Sequence, residues 1–135
     1  MPLAEDVLER LRAARQYISD HPEDHDMSNW WTAWEDGQRV PSCVAGVLAF
    51  LADGALPENH AEIRERAATL LSVTEGRSWE VDLFYVNQWP EPYFTAWEHA
   101  ERVGDLVARA AATQDLLQEI IDRGEFWWTR PQVTA

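Results

Sequence analysis

Lysine is absent from this sequence, and arginine supplies all 11 of its basic side chains. Aspartate and glutamate together number 24, so the formal net charge is -13 at pH 7. A surface this negative repels the phosphates of nucleic acids and of anionic lipids. We therefore expect no direct binding to nucleic acid or to membranes. The same charge favours solubility and attracts basic proteins, including those that themselves bind nucleic acid.

Cysteine and long apolar runs are equally scarce. Cys43 is the single cysteine, which excludes an intrachain disulfide and fits a reducing compartment. The longest uninterrupted apolar run covers residues 43–52, about half of the ~20 residues that span a bilayer. Residues 1–6 lack the basic and then apolar pattern of a signal peptide. These absences predict a soluble cytoplasmic protein.

The hydrophobic pattern of the chain is mainly helical. Apolar residues recur at three- and four-residue spacing, which predicts an all-α fold, a single compact bundle of about five to six helices over residues 1–124. The expected helices cover residues 3–19, 43–52 and 58–72, a short segment after Thr74, and a long stretch that breaks near Gly104 and ends at Arg123. A strand over residues 79–86 is an alternative to the short helix. An aromatic and then polar tail covers residues 125–135.

Particular residues refine these helices. Pro22 ends the first helix. Ser42 is placed to cap the second helix, which is apolar on every side and is therefore expected in the middle of the bundle. The inner stripe of the first helix is expected to consist of Val7, Leu8, Leu11, Ala14 and Ile18. The inner seam of the last stretch is expected to consist of Val103, Val107, Ala110, Gln114, Leu117 and Ile121.

Eight tryptophans are the most unusual feature of the composition. Tryptophan is enriched where proteins bind each other. Five of the rings lie in a long loop over residues 20–42 or in the tail, and we assign partner binding to Trp30, Trp31, Trp34, Trp127 and Trp128. The alternative is that the loop and the tail fold back and use most of these rings to hold themselves in place. Trp79 and Trp97 fit core positions, and Trp89 fits a turn that it locks.

Few residues offer chemistry. His21, His25 and Cys43 could ligate a metal with nearby carboxylates. A capped, solvated loop is the commoner meaning of this pattern, and Pro22 disfavours a helix that would align both histidine rings. Cys43 begins an apolar helix, so burial is expected rather than reactivity. No catalytic motif is recognised, so we assign no catalytic residue and no cofactor.

Several short motifs occur in a fixed order. His-Pro-Glu-x-His-Asp begins at His21, Cys-x-Ala-Gly begins at Cys43, and Leu-Phe-Tyr followed by Trp-Pro-Glu-Pro covers residues 83–92. Over about residues 7–124 this order resembles a family of small uncharacterised actinobacterial and actinophage proteins. The resemblance implies an intracellular helical protein and implies no reaction or ligand. Many relatives carry a histidine where this chain has Ser42, which weakens a metal site.

Together these features predict a non-enzymatic interaction protein whose acidic surface binds a basic protein. In a phage it would be a host-directed inhibitor or a nucleic-acid mimic. The alternative is a small-molecule- or metal-binding protein, or a minor enzyme, with a pocket between the aromatic loop and the Trp-Pro-Glu-Pro segment. The residues predicted to line that pocket are His21, His25, Trp89 and Glu91. Self-association through residues 126–128 is a third hypothesis.

Overall fold

Five α-helices make up most of the chain that the structure describes. The structure is a computed structural model, and it describes residues 3–33, 36–71, 83 and 85–128. The helices are α1 (Glu5–Asp20), α2 (Val44–Asp53), α3 (His60–Leu70), α4 (Tyr93–Val103) and α5 (Leu106–Arg123). Helix accounts for 65% of the structure and strand for 5%, which confirms the all-α prediction.

The loop after α1 contains a small β-hairpin. Strands β1 (Trp31–Ala33) and β2 (Arg39–Pro41) pair antiparallel, with Thr32 opposite Val40. These two β-branched side chains favour extended backbone. The Thr32 hydroxyl oxygen lies 2.6 Å from that of Ser42, which follows β2. Part of the segment predicted as an irregular loop is therefore paired. The sequence did not predict this pairing, because two three-residue strands are too short to show an alternating pattern.

Helices α1 and α5 pack against each other at the centre of the domain. The buried face of α1 consists of Val7, Leu11, Ala14 and Ile18, as its spacing predicts, and Leu8 lies partly buried beside it. From α5, Leu116, Leu117 and Ile120 are fully buried. A short 3-10 turn at Pro22–Asp24 follows α1, in agreement with the predicted effect of the proline.

The predicted seam of the last helical stretch is wrong at its beginning. Val103 and Val107 are 60% and 65% exposed. Gly104 adopts a left-handed conformation with φ 74° and ends α4. Asp105 then caps α5 by accepting a hydrogen bond from Ala108 N at 3.0 Å. The left-handed residue separates α4 from α5, so the four-residue spacing does not carry the seam of α5 back to Val103. Val107 is in the first turn of α5 and is exposed although it shares that helix with buried Ala110.

Helix α2 begins with a different cap from the one predicted. Cys43, and not Ser42, is the N-cap, and its Sγ accepts a backbone N–H of the first turn at 3.4 Å. Ser42 is fully buried, and its N–H donates to Trp30 O at 3.3 Å. Residues 44–49 are buried, whereas Leu51 is 42% exposed. The expectation of burial on every side is therefore wrong for the last turn of α2.

Trp89 and Trp97 both lie in the core, where the sequence pattern places Trp97, whereas Trp89 was predicted to lock a turn. Both are 5% exposed, and their rings meet edge to face with centroids 5.6 Å apart. Trp89 Nε1 donates to Leu83 O at 2.7 Å, so this indole does fasten the turn before α4. The predictions for Trp34, for Trp79 and for the short segment after Thr74 concern residues that, apart from Leu83, the structure does not describe.

Candidate functional site

His25 lies in the protein interior. Its ring is 2% exposed, Nδ1 lies 2.7 Å from Ser42 O, and Nε2 lies 2.7 Å from Thr113 Oγ1. A carbonyl oxygen only accepts, so Nδ1 carries the proton and the Thr113 hydroxyl donates to Nε2 of the neutral ring. The prediction of a solvated loop is wrong at His25, because the ring pairs with a side chain 88 positions away.

Arg109 is the charged member of the same region and is 8% exposed. Its Nη2 donates to His25 O at 2.8 Å, and its Nη1 donates to Glu101 Oε2 at 2.6 Å. The guanidinium carbon lies 5.4 Å from the centroid of the Trp97 ring, and Nη2 lies 4.0 Å from Asp26 Oδ2. Two carboxylates and an aromatic face therefore stabilise this buried cation.

His25, Arg109 and Thr113 form what we call the interior polar cluster. The pKa of His25 is lowered to about 4, mainly by burial and also by the nearby Arg109 cation, while the hydrogen bond to Ser42 and the charge of Asp26 oppose this shift. Burial likewise raises the pKa of Cys43 to about 11. At neutral pH the imidazole is uncharged and the cysteine is a thiol, so neither presents an exposed base or thiolate. Cys43 is buried, as predicted.

A pocket of about 370 Å³ opens beside the core, and we call it the aromatic pocket. The described residues that line it come from five parts of the chain. They are residues 27–30 of the loop after α1, Cys43, Arg64 of α3, residues 85–87, and Trp97 of α4. The pocket thus lies between the aromatic loop and residues 85–87, which precede the Trp-Pro-Glu-Pro segment named in the alternative hypothesis.

The residues predicted to line a pocket there lie elsewhere. None of the four is among the described lining residues, namely His21, His25, Trp89 and Glu91. The His21 ring packs edge-on against Tyr17 at 4.3 Å. The Thr95 hydroxyl and N–H donate to Glu91, and these hydrogen bonds lower the pKa of that carboxyl. Asn29, Arg64 and Asn87 line the pocket instead. Asn87 belongs to the motif over residues 83–92, but no motif predicts a pocket with Asn29 and Arg64, because the tertiary fold alone brings the three together.

The candidate metal ligands are not assembled into a site. Within the described residues, no three side chains of His, Cys, Asp or Glu converge closely enough to hold a metal ion. His21 lies against Tyr17, whereas both ring nitrogens of His25 already make hydrogen bonds. Cys43 uses its sulfur to cap α2.

Four of the tryptophans assigned to partner binding are half-buried and pack against the core, namely Trp30, Trp31, Trp127 and Trp128. Trp30 stacks with His60 at a centroid distance of 6.2 Å. The guanidinium of Arg39 lies 4.9 Å from the Trp31 ring centroid, and that of Arg123 lies 4.4 Å from the Trp127 centroid. The folding-back alternative describes these four rings, and each leaves only part of its surface for a partner.

An exposed apolar surface lies where α4 meets α5. Val103, Leu106 and Val107 are 60%, 38% and 65% exposed, and we call these three residues the aliphatic corner. Exposed carboxylates of Glu101 and Asp105 belong to the same turn of chain. Scattered apolar side chains are common on protein surfaces, but grouped ones are typical of binding sites.

Comparison with known proteins adds no family assignment. No protein-family model matches this chain, and no significant match was found among curated proteins or solved structures. In the part of the chain that the structure describes, every helix is too short or too polar to cross a membrane. The features that bear on function are the aliphatic corner, the aromatic pocket and the net charge.

Proposed function

We propose that this protein is a non-enzymatic interaction protein that binds a basic protein partner. The aliphatic corner is the observation that carries the proposal. Its three exposed side chains belong to one helix junction, residues 103–107. Glu101 and Asp105 of this junction already bind Arg109 and the N-terminus of α5. A partner segment with apolar and basic side chains would therefore bury its apolar side chains against the corner and place its basic side chains against the acidic surface around it.

The charge distribution supports a basic partner. Six described arginines have a side-chain nitrogen within 4.0 Å of a carboxylate oxygen, namely Arg10, Arg12, Arg66, Arg102, Arg109 and Arg123. Their charge is already matched inside the molecule. Other acids, among them Glu23, Glu62 and Asp115, lie at exposed positions. The net negative surface would speed encounter with a basic protein and repel nucleic acid.

The biological setting is proposed from the sequence. The order of the motifs supports membership of the actinobacterial and actinophage family and a cytoplasmic location. In a phage, the acidic surface supports a role as a host-directed inhibitor or as a mimic of nucleic acid on a basic protein. The tryptophans Trp30, Trp31, Trp127 and Trp128 are secondary candidates for partner contacts, since each ring already packs within the domain.

Polar substitution of the aliphatic corner tests the proposal. The double substitution Val103→Ser and Val107→Ser should abolish capture of basic proteins from an actinobacterial lysate. Leu51→Ser, at an exposed aliphatic residue of α2, is the matched control and should retain capture. Wild-type capture should also weaken as salt is raised. With both variants folded by circular dichroism, equal capture by the two, or no captured protein from several such lysates, would contradict the proposal.

Self-association is tested separately by light scattering at high protein concentration. We expect a monomer, because residues 126–128 already pack against the core. A dimer that dissociates in the double variant Trp127→Ala and Trp128→Ala would instead make a second copy of this chain the partner.

A further inference from the structure

The connection between β1 and β2 contains an Asp-Gly pair at residues 36 and 37. Asp36, Gly37 and the following Gln38 are all exposed. In such a pair, few bonds separate the aspartyl carboxyl from the nitrogen of the next peptide, and glycine places no side chain beside that nitrogen. Two groups held this close can react with each other without a catalyst.

The side chain of Asp36 is already turned towards the next peptide. Gln38 N donates to Asp36 Oδ1 at 2.9 Å, and a hydrogen bond of this kind holds the carboxyl alongside the peptide that follows it. Gly37 adopts a left-handed conformation with φ 84°, and a Cβ built on it meets no atom within 4 Å. The carboxyl of Asp36 and the nitrogen of Gly37 therefore lie in an open turn that favours their reaction.

A second Asp-Gly pair, at residues 53 and 54, is held in an unreactive arrangement. Gly54 N donates to Phe50 O at 2.8 Å, at the end of α2. Both carboxylate oxygens of Asp53 accept hydrogen bonds from Arg66, at 2.9 and 3.1 Å. The nitrogen and the carboxyl must both leave these partners before they can meet, which requires local opening of the helix end. The chain thus contains the same dipeptide in two different environments.

We propose that Asp36 is a modification site at which the folded protein converts aspartate to isoaspartate. Gly37 N attacks Asp36 Cγ and loses its proton, a C–N bond forms, and one carboxyl oxygen leaves as water. Water then opens the resulting succinimide ring. Cleavage of the new bond restores aspartate, whereas cleavage of the original peptide bond leaves the chain running through the side-chain carbon. The only other reactant is water.

Isoaspartate lengthens the main chain of this turn by one methylene carbon. Ala33 and Arg39 pair on either side of the turn. The Arg39 guanidinium donates to Leu56 O and Glu58 O, both at 3.3 Å. The added carbon changes the span that the turn closes, so it loosens the hairpin at the end where Arg39 holds the connection before α3.

Incubation of the protein at neutral pH and physiological temperature over several weeks tests the proposal. Trypsin separates the two pairs onto different peptides, residues 16–39 and 40–64. Isoaspartate in each peptide is measured by transfer of a labelled methyl group from S-adenosylmethionine by a protein-isoaspartate methyltransferase. Peptide 16–39 should gain label at least about tenfold faster than peptide 40–64, because only the second pair needs local opening. In urea the two rates should become similar.

Gly37→Ala is the test variant and Gly54→Ala is its matched control, because a Cβ at either left-handed glycine meets no atom within 4 Å. Gly37→Ala should slow labelling of peptide 16–39 by about tenfold or more, and Gly54→Ala should leave it unchanged. Asp36→Glu keeps the charge and should also remove the label, because its longer side chain would have to close a less favourable six-membered ring.

Two results would overturn the proposal. Labelling of peptide 16–39 that survives both Gly37→Ala and Asp36→Glu would place the modification at another residue. Equal rates for the two peptides in the folded protein, or reaction of peptide 16–39 in urea alone, would show that this turn does not favour the reaction.

The proposal does not depend on the protein partner. Isoaspartate keeps one carboxylate at residue 36, so the net charge stays at -13. The aliphatic corner lies between α4 and α5, outside the hairpin. Failure of partner capture and failure of isoaspartate formation are therefore separate results.

Discussion

His25 connects two distant parts of the chain only while its ring is neutral. In that form Nδ1 donates to Ser42 O and Nε2 accepts from the Thr113 hydroxyl. A proton on Nε2 would bring a second positive charge into the buried cluster that holds Arg109. The folded protein therefore binds a proton at this ring less readily than the unfolded chain does.

Titration of His25 should contribute to destabilisation of the protein by acid. The pKa of His25 is about 4 in the folded protein and 6.5 as the ordinary value. The unfolded chain therefore binds more protons between these values, and the stability fully present above pH 6.5 is lost as pH falls towards 4. Between pH 7 and 4.5 the loss from His25 should reach about 2 kcal/mol, measured by urea denaturation.

The variant His25→Asn is the control for that titration, because carboxylates also titrate in this range. Its side-chain amide keeps a donor near Ser42 O but carries no titrating group. The free energy of unfolding of the variant should fall less steeply with acid than that of wild type. Parallel curves for the two proteins would refute the assignment to His25.

Gly46 should resist substitution by alanine. A Cβ built at this residue would lie 2.4 Å from Trp30 O, a backbone atom that has no flexible end to move aside. Alanine favours helix by up to about 1 kcal/mol over glycine, yet the overlap should reverse that gain. We expect Gly46→Ala to lower the free energy of unfolding by about 2 kcal/mol.

Gly37→Ala separates steric overlap from backbone strain in that experiment. Gly37 has φ 84° and no atom within 4 Å of a built Cβ, so its substitution costs only the left-handed conformation. A Gly46→Ala protein that is as stable as wild type in urea denaturation would show that α2 does not need its close approach to Trp30 O.

Single-residue environments were predictable where a residue's own neighbours in sequence decide them. Cys43 and Trp97 sit in apolar or helical patterns and are buried as expected. His25 is surrounded in sequence by acids, and its burial depends on Thr113, which local spacing does not reveal. The need for glycine at residue 46 depends on Trp30 O in another element, so it is equally invisible in sequence.

Among the elements, the segment after α5 is held more firmly than its sequence suggests. Phe126 is 6% exposed and belongs to the core. The Trp127 ring lies under the Arg123 guanidinium and edge-on to Tyr93, and the Tyr93 hydroxyl in turn donates to Glu119. Residues 126–128 therefore fasten the end of α5 to the beginning of α4.

Truncation of Phe126 should reveal this fastening. Phe126→Ala should lower the free energy of unfolding by about 3 kcal/mol, since it removes a buried ring and leaves a cavity. Glu125→Ala changes the exposed neighbour and should stay within about 0.5 kcal/mol of wild type. Similar urea midpoints for the two variants would show that the segment does not stabilise the domain.

Helices were easier to predict than the connections between them. α1 repeats its apolar residues often enough for the period to be read, and Gly104 marks the break between α4 and α5. The phase of α5 relative to α4 was not predictable, because it depends on the φ of that one glycine. The hairpin between Trp31 and Pro41 was not predicted for a different reason: its strands contain three residues each, too few to show an alternating pattern.

At the scale of the whole molecule, the net charge of -13 should itself oppose folding. Like charges lie closer together in the folded protein than in the unfolded chain, so their repulsion destabilises it. Raising NaCl from about 0.02 M to about 0.5 M should therefore raise Tm by roughly 3 °C or more, despite weaker surface ion pairs. The gain should shrink when exposed Glu23, Glu62 and Asp115 are changed to the corresponding amides. An unchanged Tm would contradict self-repulsion.

The candidate site was predictable only in outline. The sequence pattern predicted a pocket between the aromatic loop and Trp-Pro-Glu-Pro, and the observed pocket is lined by that loop and by residues 85–87 instead of residues 89–92. Its rim could not be named, because Arg64 and Asn87 belong to α3 and to the turn before α4 and meet only after the bundle has formed. The partner itself stays a prediction from charge and from the exposed aliphatic corner.

The two ends of the described chain meet, and this has a consequence for synthesis on the ribosome. Leu3 N donates to Gly124 O at 2.7 Å. The His25 ring hydrogen-bonds to Thr113, which is synthesised 88 positions later. The core therefore cannot close until α5 has left the exit tunnel, although domains begin to fold as the chain emerges. A force-sensitive arrest assay should report folding only after Phe126 emerges, and an earlier signal would contradict this order. Until that point the nascent domain would remain open to proteases and chaperones.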